Sequence, residues 1–204
     1  MSDGERIRPD CEGVNIYGSG EPVRLFVAGL HGNEWRDTSQ LLLDLEPPKK
    51  GTLAIIPLID RGEYLSTLEE NYYIDIGHRI IEAVEMLKPD IYLELHSYYA
   101  GNRMNLTDKN RIDKTGVPAY SYIDEGMLLG SVAPYIRKNY FPMEALCVSF
   151  EIQKSCERSR IFAKKMLDIF KEFTSRDDFL DFLNEKYPVQ AKKAVENYKR
   201  FYGL

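Results

Sequence analysis

The segment 29–35 constrains the chain most, because it joins a strand pattern directly to a helix pattern through a glycine-containing turn. Residues 23–28, Val-Arg-Leu-Phe-Val-Ala, predict a buried strand, and residues 36–45 predict a helix that ends before Pro47. The segment between them reads Gly-Leu-His-Gly-Asn-Glu-Trp. It therefore lies at the carboxyl end of a strand, where open α/β sheets bind their ligands.

Two side chains of this segment, His31 and Glu34, can bind a metal. Imidazole nitrogen and carboxylate oxygen both suit zinc, and a catalytic zinc ion takes three protein ligands and keeps one position for water. The pair alone also fits a capping histidine and a glutamate favoured by the helix dipole. Gly29 and Gly32 favour the metal interpretation, because glycines permit a sharp turn or a close approach. A third ligand must then come from elsewhere in the chain.

The rest of the chain alternates strand and helix patterns, which predicts an α/β fold. The further predicted strands are 52–56, 90–96 and 145–151. The further predicted helices are 76–88, 124–138 and several stretches after 158. The predicted connections are 60–75, with one possible helical turn, and 102–122, and residues 1–22 are expected to hold at most one short edge strand. We expect a single domain, 1–204, with a three-layer α/β/α arrangement, a mixed but mostly parallel sheet and a helical C-terminal portion, 158–204.

Two of these predicted strands end in residues that can bind a metal or transfer a proton, His96 and Glu151. Because the carboxyl ends of parallel strands meet at one rim of a sheet, we expect both beside His31 and Glu34. Two histidines and a glutamate form a ligand set that suits zinc. Glu151 could then act as general base toward zinc-activated water, although a solvent-facing glutamate is the simpler interpretation. The only other histidine, His78, starts a predicted helix and is interpreted as structural.

Composition excludes several other functions. The net charge is −5 and the basic residues are not clustered, which argues against a nucleic-acid partner. A charged, polar start and the lack of a long apolar run favour a cytoplasmic protein without a leader or a membrane span. The cysteines form no Cys-x-x-Cys pair and are predicted to be reduced thiols; they are Cys11, Cys147 and Cys156.

The predicted site residues resemble the motifs of the carboxypeptidase-like zinc metallohydrolases, particularly the succinylglutamate desuccinylase and aspartoacylase branch. The matching motifs are His-Gly-Asn-Glu at 31–34, Glu-Leu-His at 94–96 and Phe-Glu-Ile at 150–152. The resemblance implies a zinc-exopeptidase-like (phosphorylase/hydrolase-like) fold. It also implies one zinc ion bound by His31, Glu34 and His96, with Glu151 as the general base. Over nearly its whole length, the chain is also similar to an uncharacterised family of methanogenic archaea.

The metallohydrolase resemblance also implies arginines that polarise the scissile carbonyl and bind a substrate carboxylate, because a guanidinium offers a bidentate fork. Arg103, which follows His96 closely, is the first candidate and Arg61 the next, and Arg79 is also considered; for each of them a solvated surface arginine is the simpler interpretation. Glu94 could orient a metal ligand from behind. The Asp-Leu-Asn-Arg element that holds substrate in the desuccinylase branch is absent from the sequence.

The resulting hypothesis is a zinc-dependent hydrolase that cleaves the amide bond of an N-acyl amino acid or a similar small acidic amide. The substrate would be a small molecule or peptide that carries a carboxylate. Two alternatives stay open: a zinc carboxypeptidase that acts on peptide C-termini, and a non-catalytic binding protein on the same fold. The two enzymes would differ in pocket size and in what the arginines hold.

Overall fold

A computed structural model describes residues 13–62 and 64–203, so Cys11 lies outside the described residues. The strands are β1 Asn15–Ser19, β2 Val23–Ala28, β3 Gly51–Ile56, β4 Ile91–Tyr98, β5 Ser121–Asp124, β6 Met127–Gly130 and β7 Leu146–Gln153. The helices are α1 Trp35–Leu43, α2 His78–Leu87, α3 Arg103–Leu106, α4 Arg111–Thr115, α5 Pro134–Tyr140, α6 Glu157–Phe170, α7 Arg176–Lys186 and α8 Pro188–Tyr202. None of these helices has the length and apolar character needed to cross a bilayer.

The strands form one seven-stranded mixed sheet in the order β1-β3-β2-β4-β7-β6-β5. The four central strands, β3, β2, β4 and β7, are parallel to their neighbours in that group. Antiparallel pairs flank them, β1 with β3 on one side and the β7-β6-β5 series on the other. The mixed α/β fold is therefore confirmed. The expectation of a mostly parallel sheet is not confirmed, because three strand pairs are parallel, all of them in the centre, and three are antiparallel.

The helix predicted at 124–138 is wrong. The chain instead forms the β5–β6 hairpin there and becomes helical only at α5. Glu125 and Gly126 connect the two strands with positive φ angles of 45° and 84°, and such two-residue turns match the twist of a hairpin. The apolar run Met127 to Leu129 fits a helix and a buried strand equally well. Pairing of this run with β7 makes it a strand.

The strands that carry the predicted site continue past the expected ends. The strand predicted at 90–96 runs on to Tyr98, and the strand predicted at 145–151 runs on to Gln153. The extension exists because Ser97 and Tyr98 of β4 pair with the last two residues of β7. His96 and Glu151 therefore lie inside their strands, two residues before the end, and not at the last residue.

Apolar side chains pack on both faces of the sheet. In β2, alternation sends Phe26 and Ala28 into one cluster and Leu25 and Val27 into the other. Side chains of α1, α6 and α7 belong to the first cluster, and side chains of α2 and α5 belong to the second. Two separate cores thus hold the central strands in place from either side.

A substitution at Phe170 tests how much packing in the first cluster contributes to stability. The fully buried ring of Phe170 lies 5.1 to 5.6 Å, centre to centre, from the rings of Phe26, Phe150 and Phe179. We expect Phe170→Ala to lower the free energy of unfolding by about 3–5 kcal/mol, because it removes the ring and leaves a cavity. Urea denaturation measures the change. Ile161→Ala on the same helix removes a 63% exposed side chain and should change stability by about 0.5 kcal/mol or less.

Candidate metal centre

The turn between β2 and α1, residues 29–34, is termed the ligand turn. Gly29 and Gly32 have φ angles of +59° and +58°, a backbone conformation that other residues rarely adopt. A Cβ atom on Gly29 would lie 3.0 Å from the Cβ of Trp35 and 3.1 Å from a methyl carbon of Leu58. The glycine is therefore needed for close packing of the ligand turn against α1.

The other site residues come from β4 and β7. His96 and Glu151 are directly paired in the parallel register of these strands. Glu94 precedes His96 by two residues, so both side chains point to the same face of the sheet. The sheet therefore brings a histidine and two carboxylates from different parts of the sequence to one face beside the ligand turn.

The side chains of His31, Glu34 and His96 converge. Oε2 of Glu34 lies 3.3 Å from Nδ1 of His96 and 3.9 Å from Nε2 of His31. One ligand atom of each residue lies within 4.8 Å of those of the other two, and all three residues are buried. In a tetrahedral zinc site with bonds of about 2.1 Å, ligand atoms are separated by about 3.4 Å. The group is thus already close to a metal-binding arrangement.

Two buried polar atoms of the site lack a hydrogen-bond partner within the described residues. They are Nδ1 of His31 and Oε2 of Glu151. Buried polar atoms are normally paired, because an unpaired one costs the free energy of its lost hydration. A mixed nitrogen and oxygen donor set, close spacing and these free atoms together fit a divalent metal ion with an adjacent water or substrate.

Charges within the site shift several pKa values. Burial lowers the pKa of His31, which favours the neutral imidazole that a metal requires. Burial opposes ionisation of both Glu34 and His96, but their mutual attraction prevails, so the pKa of Glu34 is lowered and that of His96 is raised well above its usual value. Burial raises the pKa of Glu151 to about 7. Glu151 can therefore exchange a proton near neutral pH.

Glu94 lies behind His96 and contacts it from the far side. Its Oε2 lies 3.3 Å from Nε2 of His96, while Oε1 accepts hydrogen bonds from the hydroxyls of Tyr73, at 2.9 Å, and Tyr92, at 2.8 Å. On the other side of the site, the Ser97 backbone N–H donates to Glu34 at 3.3 Å. Both acidic groups are thus held by the protein, which fixes the orientation of the His96 ring.

The chain has relatives among archaeal proteins. It matches the model of a family described as an uncharacterized protein conserved in archaea, DUF2119, over residues 19–203. An uncharacterized protein of Methanocaldococcus jannaschii is 34% identical over 189 residues, covering 89% of this chain and 91% of that protein. The chain belongs to the archaeal DUF2119 family. The likeness to a family of methanogens expected from the sequence is confirmed.

A solved structure is also similar to this DUF2119 chain. It is a metallo-carboxypeptidase from Pseudomonas aeruginosa in complex with (2-guanidinoethylmercapto)succinic acid. The sequences are 10% identical, the TM-score is 0.45, and the match covers 78% of this chain and 59% of the carboxypeptidase chain. The comparisons do not confirm the narrower placement in the succinylglutamate desuccinylase and aspartoacylase branch.

The two arginines expected at the site lie outside the buried group. Arg61 is exposed, with its guanidinium carbon 5.3 Å from the centre of the Trp35 ring. Arg103 is also exposed, at the start of α3, with its guanidinium carbon 5.8 Å from the centre of the Tyr122 ring. His78 is exposed at the start of α2 and contacts the Asp75 carbonyl, which agrees with a structural role.

Several residues around the site were not predicted from the sequence. Tyr73 and Tyr92 were not assigned a role, although both bond to Glu94. Lys154 follows Glu151 by three positions, and its ammonium contacts Asn33 of the ligand turn. Two signals were present in the sequence: Lys154 lies just beyond a site strand, and strand alternation places Tyr92 on the same face as Glu94. The Tyr73 contact depends on how separate segments pack.

The three histidines provide a direct test of metal binding. We expect protein purified without added metal to contain about one equivalent of a divalent metal, and His96→Ala to lose it, because only two ligands remain. Elemental analysis by mass spectrometry gives the content. His78→Ala is the matched control and should keep the metal. Equal metal content in the two variants would show that the ion, if any, is bound elsewhere.

A second test addresses the carboxylate behind His96. We expect Glu94→Gln to weaken metal affinity about 10–100-fold, because the amide orients the His96 ring less strongly than the carboxylate does. Competition with a fluorescent chelator measures the affinity. Tyr73→Phe removes one hydroxyl from the same carboxylate and should have a smaller effect in the same direction. Unchanged affinity in Glu94→Gln would exclude an orienting role.

Proposed function

We propose that this protein is a zinc-dependent hydrolase that cleaves the amide bond of an N-acyl amino acid or a similar small acidic amide. The zinc ligands would be His31, Glu34 and His96. The observation that carries the proposal is the position of Glu151: a buried carboxylate with an unpartnered oxygen, paired in register with His96 beside the ligand group. The proposed scaffold is a single three-layer α/β/α domain of the zinc-exopeptidase type.

The proposed chemistry divides between the ion and the protein. A bound zinc ion supplies Lewis-acid chemistry, since it acidifies water and polarises a carbonyl. Glu151 takes a proton from the attacking water at Oε2, and the water oxygen forms a bond to the carbonyl carbon. Glu151 then returns that proton to the leaving nitrogen as the C–N bond breaks. The same carboxyl group thus acts first as base and then as acid.

The surroundings of Glu151 suit this proton transfer. Burial excludes bulk water and raises the pKa of Glu151 to about 7. At neutral pH the carboxyl group can therefore be ionised before the water attacks and protonated once it has taken the proton. The two neighbours of Glu151 in β7, Phe150 and Ile152, also pair with β4, and this pairing fixes the backbone of Glu151. The base is therefore positioned before substrate binds, which lowers the cost of reaching the transition state.

Arg103 and Arg61 are proposed to bind substrate. A guanidinium can hold a carboxylate through two parallel hydrogen bonds or stabilise a developing oxyanion. Both exposed arginines rest on aromatic rings, Trp35 and Tyr122, and such contacts are worth about 0.5–1 kcal/mol at exposed sites. Either side chain can therefore exchange its ring for a substrate oxygen at little cost.

Glu151→Gln tests the mechanism. We expect the variant to keep its metal but to lose hydrolysis of an accepted N-acyl amino acid by about 10²–10⁴-fold, because the amide cannot accept the proton. A coupled amine assay over a panel of N-acyl amino acids gives the rates. Short unblocked peptides belong in the same panel, and faster cleavage of these would indicate a carboxypeptidase instead.

The control for this experiment is Glu157→Gln, which changes an exposed glutamate at the start of α6 and should hydrolyse the same substrates at the wild-type rate. Full activity in Glu151→Gln with bound metal would eliminate Glu151 as the base. A wild-type protein that binds metal but hydrolyses nothing in the panel would leave a binding protein on this fold.

A further inference from the structure

Lys154 is a cation beside the site that the proposed mechanism does not use. It lies just beyond β7, three residues after Glu151, and is half-buried. Its backbone N–H donates a hydrogen bond of 2.9 Å to the carbonyl of Tyr98, the last residue of β4. The backbone of Lys154 is thus fixed to the ends of both strands that carry the site.

The side chain of Lys154 turns toward the ligand turn. Its ammonium donates a hydrogen bond to the side-chain oxygen of Asn33, which lies between His31 and Glu34 in the sequence. The same ammonium lies 4.8 Å from the centre of the Tyr99 ring. Asn33, Tyr99 and Lys154 together are termed the mouth of the site.

Both contacts of the Lys154 ammonium are with neutral groups. Within the part of the chain that the structure describes, it has no carboxylate within 4 Å, whereas several other lysines do. An ammonium has three N–H donors, and Asn33 accepts one of them. The remaining donors are available to a ligand that approaches through the mouth.

The charges of the inner site make this cation significant. Glu34, Glu94 and Glu151 are all buried, and the Lys154 charge reaches far enough to oppose in part the rise that burial causes in the pKa of Glu151. Even so, within the described residues the Lys154 ammonium forms no direct ion pair with any of these carboxylates. A buried or half-buried charge is stabilised when an opposite charge and a hydrogen bond meet it. A negatively charged ligand group at the mouth would supply both.

We propose that Lys154 binds the carboxylate of the substrate at the mouth of the site and so gives the enzyme its preference for acidic amides. The inference rests on the proposed function and deepens it. The substrate would lie with its carboxylate against Lys154 and its amide directed inward toward Glu151. Unlike Arg61 and Arg103, Lys154 contacts a residue that lies between two proposed metal ligands.

This role affects binding more than chemistry. Lys154 would contact a part of the substrate that does not react, so its interaction is equal in the ground state and the transition state. For any N-acyl amino acid that is hydrolysed, Lys154→Met should therefore raise KM and leave kcat nearly unchanged. A lower kcat with an unchanged KM in Lys154→Met would contradict a carboxylate-binding role.

A matched pair of probes tests the proposal without turnover. N-acetylglycine and N-acetylglycinamide differ only in that the first carries the carboxylate. We expect the zinc-loaded protein to bind the acid roughly tenfold more tightly, through one charge-assisted hydrogen bond. NMR titration of the Asn33 and Tyr99 amide signals reports binding at the mouth. Lys154→Met should weaken binding of the acid to the level of the amide, and Lys154→Arg should keep part of the preference.

The control is Lys165→Met, which removes an exposed lysine of α6 and should leave the preference intact. The proposal is overturned if wild-type protein binds both probes equally, if neither probe shifts the mouth signals, or if the preference survives in Lys154→Met. A preference that Lys154→Met abolishes, in a protein that hydrolyses nothing, would support the carboxylate site and overturn the hydrolase. Failure of the carboxylate-site proposal can therefore be distinguished from failure of the hydrolase proposal.

Discussion

Parallel pairing of β4 with β2 on one side and β7 on the other is the constraint on which the site depends. The ligand turn follows β2, His96 lies in β4 and Glu151 lies in β7. Neighbouring strands are separated by about 4.8 Å, so the backbone ladder itself sets the spacing of these residues. Beyond this ladder, the site needs only the conformation of the ligand turn and a fixed rotamer for each side chain.

The polar groups behind the site depend on one another. Glu94 is almost fully buried, and its carboxylate is compensated by two tyrosine hydroxyls and His96. Burial and the adjacent carboxylate raise the pKa of both Tyr73 and Tyr92 well above the usual value, so they remain donors at any physiological pH. A buried network of this kind is stable only when every member is paired. Its rigidity favours one orientation of His96.

The sequence was sufficient to predict those parts of the fold and site that depend on local pattern. The β-branched and aromatic run of β2 and the alternation of β4 predicted both strands and the face of His96. The β5–β6 hairpin could not be predicted, since its apolar run is too short to distinguish a strand from a helix and pairing with β7 is a long-range contact. Lys154 was missed for a similar reason: its contact with Asn33 joins residues 121 positions apart.

The β5–β6 hairpin has a further consequence for the strand that carries Glu151. Without it, β7 would be the outer strand of the sheet, with a row of free backbone donors and acceptors along one side. Such an edge can pair with a strand from another molecule and lead to aggregation. The hairpin covers that edge, and the outermost strand is instead the four-residue β5. The hairpin, part of which was predicted to be helical, thus protects the Glu151 strand from intermolecular pairing.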